Sequence, residues 1–389
     1  MKSARAASYE ALIQSYKNET YLSDALAAWE KSDHPRNDDF RLAQEISHGT
    51  MRMTRALDAL AKQLCDTKRL KLKERVLLRM ALYQFYFMNK IPLYAIVNES
   101  ITLAKKTCHS TFVKFLNAIL RKLESTTLSL PKEFGIAYSY PDELIEQLII
   151  DYGKKQAVEI LQLGNQPSET FVRQRKTASY KPVKSLEPYL ENTQYYIQNP
   201  TPGKLFAFLQ SQRKKAPEKI LDLCASPGGK SLLLHDAYPH AMLTANDVSE
   251  EKTARLRDNF QKYEVNATIT QSRGEEFASE ELFDLIVIDA PCSNTGVLNK
   301  RSEARWRYTK ENLEALKTLQ LSLLGHASSL LAKEGQIWFM TCSILKQENE
   351  AVAEEACRFN HLQFLDHLTV LPSSNGQDGG FAAVLQLST

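Results

Sequence analysis

At 389 residues the chain is longer than the roughly 100–200 residues of one ordinary domain, so two or three domains are expected. Hydrophobic residues make up 43% and charged residues 24%, which excludes a disordered or fibrous chain. No run approaches the roughly 18 apolar residues of a membrane span, and the positively charged start has neither an apolar core nor a small-residue cleavage site. The cytoplasm is therefore the expected location. The six cysteines (Cys65, Cys108, Cys224, Cys292, Cys342 and Cys357) show no CxxC spacing and no dense cluster, which argues against a zinc site and a disulfide framework. A net charge of +3 suits a nucleic-acid binder and a metabolic enzyme equally, so the local distribution has to decide.

From residue 4 to about 125 apolar residues recur at helical spacing, as in Leu57, Leu60, Ala61 and Leu64, or Leu77, Met80, Ala81 and Gln84. Pro35, in the polar loop Ser32 to Asp39, separates two helical groups, and Pro92 breaks the helix after Phe87 so that another begins near Tyr94. The next stretch, to about 215, is mixed. Helices are predicted over Pro141–Tyr152 and Lys154–Leu163, then extended runs over Glu169–Arg175 and Gln194–Gln198. Arg173, Arg175, Lys176, Lys181 and Lys184 are interleaved here with Tyr180, Tyr189, Tyr195 and Tyr196. Such a composition suits a solvated surface, and equally one that stacks bases and meets phosphates. From about 216 short β-rich runs (Lys219–Leu223, Ala241–Val248, Ala267–Gln271, Phe283–Asp289, Gln336–Thr341) alternate with helices such as Glu250–Tyr263 and Glu311–Ala332. The alternation predicts a parallel sheet covered by helices, whose ligands sit at the carboxyl ends of the strands.

The chemistry-bearing residues fall at those ends. The first strand runs into Asp222-Leu-Cys-Ala-Ser-Pro-Gly-Gly-Lys-Ser231, where Gly228 and Gly229 permit a tight turn and the next helix offers its first amides to an anionic ligand. It is not a phosphate-binding P-loop, whose four-residue insert between glycines is missing. Asp247 closes the second strand, where it can accept from ribose hydroxyls or cap the following helix; capping by Ser249 would release it for the ribose. The apolar strand Phe283–Asp289 ends in Ala290-Pro291-Cys292-Ser293, and the strand from Gln336 ends in Thr341-Cys342-Ser343. If the two strands are adjacent, two thiols flank one crevice. A single buried cysteine is usually structural; two at matching strand ends beside a glycine-rich cradle are a candidate catalytic pair.

These three strings, in this order and spacing, resemble the RNA cytosine-C5 methyltransferase family. The resemblance implies that Cys342 is the nucleophile, Cys292 assists product release, and Asp289 orients the cytosine and contacts the cofactor. Cys224, Ala225, Ser226, Pro227, Gly228, Gly229, Lys230 and Asp247 would hold S-adenosylmethionine, with Lys230 also reaching the active site. Two thiols suit the reaction, because carbon 5 of cytosine becomes nucleophilic only after a thiolate adds to carbon 6, and a base must later remove the carbon 5 proton. In the helical region, Lys73-Glu-Arg-Val-Leu-Leu-Arg-Met-Ala-Leu-Tyr-Gln, Ile91-Pro, Val97-Asn-Glu-Ser and Phe115-Leu-Asn-Ala-Ile-Leu-Arg121 are similar to the RNA-binding domain of the antitermination factor NusB. The fusion resembles the bacterial small-subunit ribosomal RNA methyltransferases of the RsmB/Fmu/Sun type.

The implied organisation is multidomain: an all-α NusB-like RNA-binding domain over 1–128, a small α+β RNA-binding module over 129–215, and an α/β Rossmann-like class I methyltransferase domain over 216–389. Small-subunit ribosomal RNA is the expected partner, with no membrane and no metal, for a chain acting as a monomer. Three places depart from the family. Ser272-Arg-Gly-Glu-Glu276 lacks the expected adenine-binding carboxylate, for which Glu275 or Glu276 could substitute; Asn299-Lys-Arg-Ser302 lacks a proline; and Ser226 and Asp378-Gly-Gly-Phe381 vary their motifs. The same chemistry on transfer RNA or another ribosomal site, a non-catalytic RNA-binding assembly protein, and DNA methylation with Cys292 as nucleophile are the alternatives. Arg213-Lys-Lys215, Lys300, Arg301, Arg305 and Arg307 are expected to meet phosphate.

Overall fold

The structure is a computed structural model and describes residues 2–388. Its first part is helical: α1 (Ala4–Asn18), α2 (Leu22–Asp33), α3 (Asn37–Arg52), α4 (Thr54–Leu64), α5 (Leu72–Phe87), α6 (Leu93–Thr107), α7 (Ser110–Lys122), α8 (Phe134–Ala137) and α9 (Asp142–Leu163). The breaks have chemical causes. Ser3 caps α1 by accepting from the Ala6 amide, Pro92 stands at the N-cap of α6, and Gly153 at φ 75° interrupts α9 between the two stretches predicted as separate helices. Next come β1 (Thr170–Gln174), β2 (Ser179–Val183), α10 (Glu187–Leu190), β3 (Tyr195–Ile197) and α11 (Pro200–Ser211). The remainder alternates as β4 (Lys219–Asp222), α12 (Gly229–Ala237), β5 (Met242–Asp247), α13 (Glu250–Tyr263), β6 (Thr268–Gln271) and β7 (Phe283–Asp289). It continues through α14 (Ala304–Arg307), α15 (Lys310–Ser329), β8 (Leu331–Thr341), α16 (Glu350–Phe359), β9 (Leu362–Val370) and β10 (Gly380–Leu387). Among the described residues no helix is long and apolar enough to cross a membrane.

The chain forms two compact units. One takes the chain up to Gln166 together with Leu298–Arg307; the other takes Pro167–Val297 and the chain from Tyr308 onward. In the first, Leu57, Leu77, Ile96 and Leu116 are among the residues of one apolar core, against which Trp306 packs. Arg305 is fully buried in this unit. Its guanidinium donates to Asn165 Oδ1 at 2.7 Å and the Gly164 carbonyl at 2.9 Å, with longer bonds to the carbonyls of Leu298, Ser139 and Arg52. It stacks 3.9 Å from the centroid of Tyr140, and burial pulls its pKa down to about 10. The expectation that Arg305 meets phosphate is therefore corrected: its fork is spent on backbone carbonyls. Arg307 likewise donates to the Glu19 and Thr20 carbonyls.

The second unit is built on a seven-stranded sheet in the order β6-β5-β4-β7-β8-β10-β9. β4 to β8 run parallel, as the alternating pattern predicts. β10 runs antiparallel between β8 and β9, an ending that the βαβ alternation does not announce. Successive residues of the central strands feed opposite cores. Ile220, Leu285, Val287, Trp338 and Met340 pack on one face with residues of α11, α12 and α13, whereas Leu221, Ile286, Ile288, Ile337 and Phe339 pack on the other with α15 and α16. The chain order reverses at β4, with β5 on one side and β7 on the other, so the crevice opens at their carboxyl ends.

A three-stranded sheet, β2-β1-β3, completes this unit. It shows that part of its basic run is structural: Arg173 is buried and pairs with Asp236 at 2.9 Å, and Arg175 pairs with the same carboxylate at 2.7 Å. Lys181 stays exposed over the rings of Tyr189 and Tyr195, at 5.0 and 4.9 Å.

Arg305→Ala is expected to lower the stability of the helical unit by about 3–5 kcal/mol by orphaning several buried carbonyls. Arg305→Lys, which lacks the planar fork, should restore less than half of that. Urea unfolding midpoints of the three full-length proteins check this, and equal midpoints would remove Arg305 from the account of this core.

Candidate active site

β4 is buried to its last residue and then turns sharply into α12. Gly228 adopts φ 106°, a left-handed conformation that L side chains rarely adopt, and directs the chain into the helix. The first amides of α12 have no intrahelical acceptor, and the loop they close is tied down on both flanks. Ala225 N–H bonds the Asn246 carbonyl at 2.9 Å, and Asn259 Nδ2 donates to the Pro227 carbonyl at 2.6 Å. Asp222 is fully buried below the loop and accepts from Ser231 Oγ at 2.6 Å. Burial, with the charges of Asp289 and Asp247 adding to it, pushes its pKa up to about 7. Burial also drives the Cys224 thiol up, so that it stays neutral.

At the end of β5, Ser249 caps α13 by accepting from Lys252 N–H, as expected. Asp247 is nonetheless occupied: its carboxylate accepts from the amides of Ser226 at 2.8 Å and Val248 at 2.7 Å, and Lys252 Nζ lies 3.1 Å away. A carboxylate has about four lone-pair sites, so hydroxyl donors can still be accommodated once the half-exposed Lys252 side chain moves aside. The loop 224–230, the start of α12 and Asp247 thus share one rim of the sheet, a set that fits a nucleoside bearing an amino-acid tail. In the departing run, Glu275 is engaged by Arg273, and Glu276 lies 3.6 Å from the same guanidinium.

β7 pairs with β8 up to Asp289 opposite Met340. Beyond it the two loops bring Cys292 Sγ within 3.3 Å of Cys342 Sγ. Cys342 donates to Asn294 Oδ1 at 3.2 Å, while Asn294 Nδ2 donates to the Cys292 carbonyl at 2.9 Å. Asn294 sits at φ 60°, a conformation that asparagine tolerates better than most residues. Gly296 provides the close approach: its amide bonds the Cys342 carbonyl at 2.9 Å, and an added Cβ would lie 2.6 Å from Gly379. Lys230 forms an ion pair with Asp289; burial alone would lower its pKa, but Asp289 outweighs this and raises it, so Lys230 stays charged. The Cys292 thiol is held well above its ordinary value, first by the hydrogen bond with Cys342 and then by burial.

Residues 209–386 match the family model for the 16S rRNA methyltransferase RsmB/F, and residues 2–125 match that of the NusB family. The match to the RsmB/F family of 16S rRNA methyltransferases thus lies in the carboxyl-terminal region, behind a NusB-like one. The chain is similar to the ribosomal RNA small subunit methyltransferase B of Photorhabdus laumondii, with 27% identity covering 89% of this chain and 90% of that one. The protein of the same description from Vibrio cholerae is 29% identical over 89% of this chain and 87% of its own. Among solved structures, PH0851 aligns with TM-score 0.80 and 19% identity over 98% of both chains. NSun6 from Pyrococcus horikoshii aligns with TM-score 0.55 and 15% identity over 65% of this chain and 99% of its own. These two likenesses concern the fold. The family and sequence matches make the protein an S-adenosylmethionine-dependent rRNA methyltransferase with a NusB-like helical region.

The structure brings Lys230, Asp289, Cys292 and Cys342 together, with the 224–230 loop and Asp247 on the adjoining strand ends. Asn294, Ser293, Ser343 and Glu348, which bond around the thiols, were not singled out from sequence. Ser293, Asn294 and Ser343 carried the signal of standing close to the two cysteines, whereas Glu348, five positions beyond Ser343, carried none.

The raised Asp222 pKa has a stability consequence. Its folded value of about 7 exceeds the ordinary 3.8, so folding takes up a proton between those values. The stability from this group is complete below about pH 4 and is lost as pH rises through about 7. Asp222→Asn keeps an acceptor for Ser231 without the charge, and is expected to be more stable than the parent at pH 8 by about 2–4 kcal/mol. Denaturant unfolding at pH 8 and pH 5 should show that advantage shrinking at the lower pH; a pH-independent difference would contradict it.

Proposed function

We propose that this protein methylates carbon 5 of a cytosine in 16S ribosomal RNA through a covalent bond from Cys342 Sγ to carbon 6, with Cys292 as the base that permits release. The observation that carries the reading is the 3.3 Å contact between the two thiols at the ends of adjoining parallel strands. S-adenosylmethionine supplies the electrophilic methyl, and the 224–230 loop with Asp247 would hold it, Asp247 accepting from the ribose hydroxyls. Asp289, paired with Lys230, offers a carboxylate to the exocyclic amino group of the cytosine. A paired cytosine has to leave its stack before Cys342 can reach carbon 6.

The coupling of the thiols orders the steps. In the resting protein Cys292 is difficult to ionise, chiefly because of Cys342 beside it. Two thiols in contact titrate as a pair, and the first thiolate suppresses the second. Once Cys342 Sγ is a neutral thioether to carbon 6, it carries no charge to hold the Cys292 proton or to oppose a second thiolate, so the largest cause of the elevated Cys292 pKa disappears. Cys292 becomes a competent base at the stage when the carbon 5 proton must leave. Loss of that proton restores the ring and expels Cys342.

Every side chain of this site comes from one unit of one chain, which supports a monomer, and we place its action in the cytoplasm, where ribosomal RNA is handled. The NusB-like residues 1–128 and the module 129–215 are assigned RNA contacts, the latter through exposed Lys181 with Tyr189 and Tyr195.

Transfer of labelled methyl to 16S rRNA tests the assignment. The wild type is expected to label cytosine carbon 5, Cys342→Ala to fall to background, and Cys292→Ala to accumulate an RNA–protein adduct stable in denaturing gels. An active Cys342→Ala protein would overturn the role given to Cys342. Asp247→Asn is expected to weaken S-adenosylmethionine binding by about tenfold, about 1.4 kcal/mol, in equilibrium titrations; an unchanged Kd would move the ribose elsewhere.

A further inference from the structure

The β7–β8 ladder does not by itself explain the thiol contact. Its register pairs Asp289 with Met340, and the last ladder bond runs from the Ala290 amide to the Met340 carbonyl at 2.9 Å. Continued in register, the strands would set Pro291 opposite Cys342, and Cys292 opposite Ser343. Pro291 has no amide hydrogen, so the ladder stops there. Beyond that point the loops are joined by the Gly296–Cys342 backbone bond and by side-chain bonds, which together place the two sulfurs.

Glu348 is at the centre of those bonds. It lies in the turn before α16 and has 0% exposure. Its Oε1 accepts from the Ser293 amide at 2.8 Å, and its Oε2 accepts from the hydroxyls of Ser343, at 2.7 Å, and of Ser293. Ser293 follows Cys292, and Ser343 follows Cys342, so one carboxyl group grips the residue beside each thiol. Ser343 Oγ also meets Thr295 Oγ1 at 2.9 Å, and Thr295 Oγ1 accepts from the Ile344 amide at 3.1 Å. Bonds to an ionised acceptor are roughly twice as strong as neutral ones, which suits Glu348 to hold two loops that the sheet has released. Burial raises its pKa and the serine donors counter that rise.

We propose that Glu348 is the positioning residue of the thiol pair, setting the distance between Cys292 and Cys342 through Ser293 and Ser343. Its consequence for catalysis rests on the covalent reading given above; its consequence for geometry does not. Glu348→Ala removes the grip. Glu348→Gln keeps the shape and one acceptor, but its amide nitrogen must donate to a hydroxyl instead of accepting from it. Ser343→Ala removes one donor with little change in volume.

The test begins with the full-length protein alone, without RNA or cofactor. Diamide accepts the two thiol hydrogens and becomes a hydrazine as the two sulfurs join, so the rate of Cys292–Cys342 linkage, followed by peptide mass mapping, reports their proximity. Relative to wild type, the linkage is expected to slow at least tenfold in Glu348→Ala, and several-fold in Glu348→Gln and Ser343→Ala. In methyl transfer, kcat should fall in the same order while KM for RNA and for S-adenosylmethionine stays within about twofold. Wild-type linkage rates in Glu348→Gln and Ser343→Ala would overturn the proposal, and these two milder variants decide it if Glu348→Ala does not fold. Slowed linkage in these variants, with wild-type methylation that survives Cys342→Ala, would uphold the positioning and reject the covalent reading.

Discussion

The arrangement depends on the parallel pairing of β7 with β8. The stretches Leu285–Ile288 of β7 and Ile337–Met340 of β8 are buried on both faces and apolar, so polar groups fall where the strands enter or leave that stretch. Asp289 is the last residue of one strand and Thr341 of the other, and each cysteine lies just beyond. A one-residue change in the register would turn inward residues of one core toward the other. Because Leu285 and Val287 share one core while Ile286 and Ile288 share the other, the register is held by packing on both faces. The thiol site thus inherits its position from apolar contacts that take no part in its chemistry.

Electrostatics then divides the strand ends into two parts. Asp222, Asp247 and Asp289 all lie at carboxyl ends of neighbouring strands, an accumulation of negative charge in a poorly solvated place. Lys230 answers Asp289 and Lys252 answers Asp247, whereas Asp222 is fully buried and its carboxyl is displaced towards neutrality. The charged lysine lies on the same side as the thiols: among the influences on Lys230 is the nearby Cys342. That cation comes from the first turn of α12.

Much of this was legible in the sequence because it follows from periodicity and strand ends. The apolar run Phe283–Asp289, the Gly-Gly turn and the two Cys-Ser ends mark a parallel sheet and its active rim without any coordinates. Side-chain bonding between distant loops left no such mark. Asn294 and Cys342 are 48 positions apart, and Ser293 and Glu348 are 55 apart, and no spacing rule connects them. The two errors about basic residues have the same origin. Composition counts Arg173 and Arg305 as surface charge, but Arg173 pairs with Asp236, while Arg305 finds carbonyls of Gly164 and Leu298 that only folding assembles. The antiparallel β9–β10 ending was missed because β9 carries Gln363, Asp366 and His367 at an edge, a pattern too polar to read as a sheet member.

The departure at Ser272–Glu276 is best understood through its neighbour on β5. Asn246 is fully buried, and its amide donates to the carbonyls of Leu223 at 3.2 Å and Ser272 at 3.0 Å. Its Oδ1 accepts from the hydroxyls of Thr270 at 3.1 Å and Ser272 at 3.0 Å. One side chain thus uses its donors and its acceptor to tie the end of β6 to the end of β4, across the strand that carries Asp247. A buried amide with four satisfied bonds is costly to disturb, since each orphaned partner loses about 1–3 kcal/mol. The backbone of this rim is accordingly held from beneath, independently of which side chains follow Ser272. The run Arg273-Gly-Glu-Glu276 therefore changes the charge presented at the rim, through an arginine that engages Glu275, without releasing the rim itself.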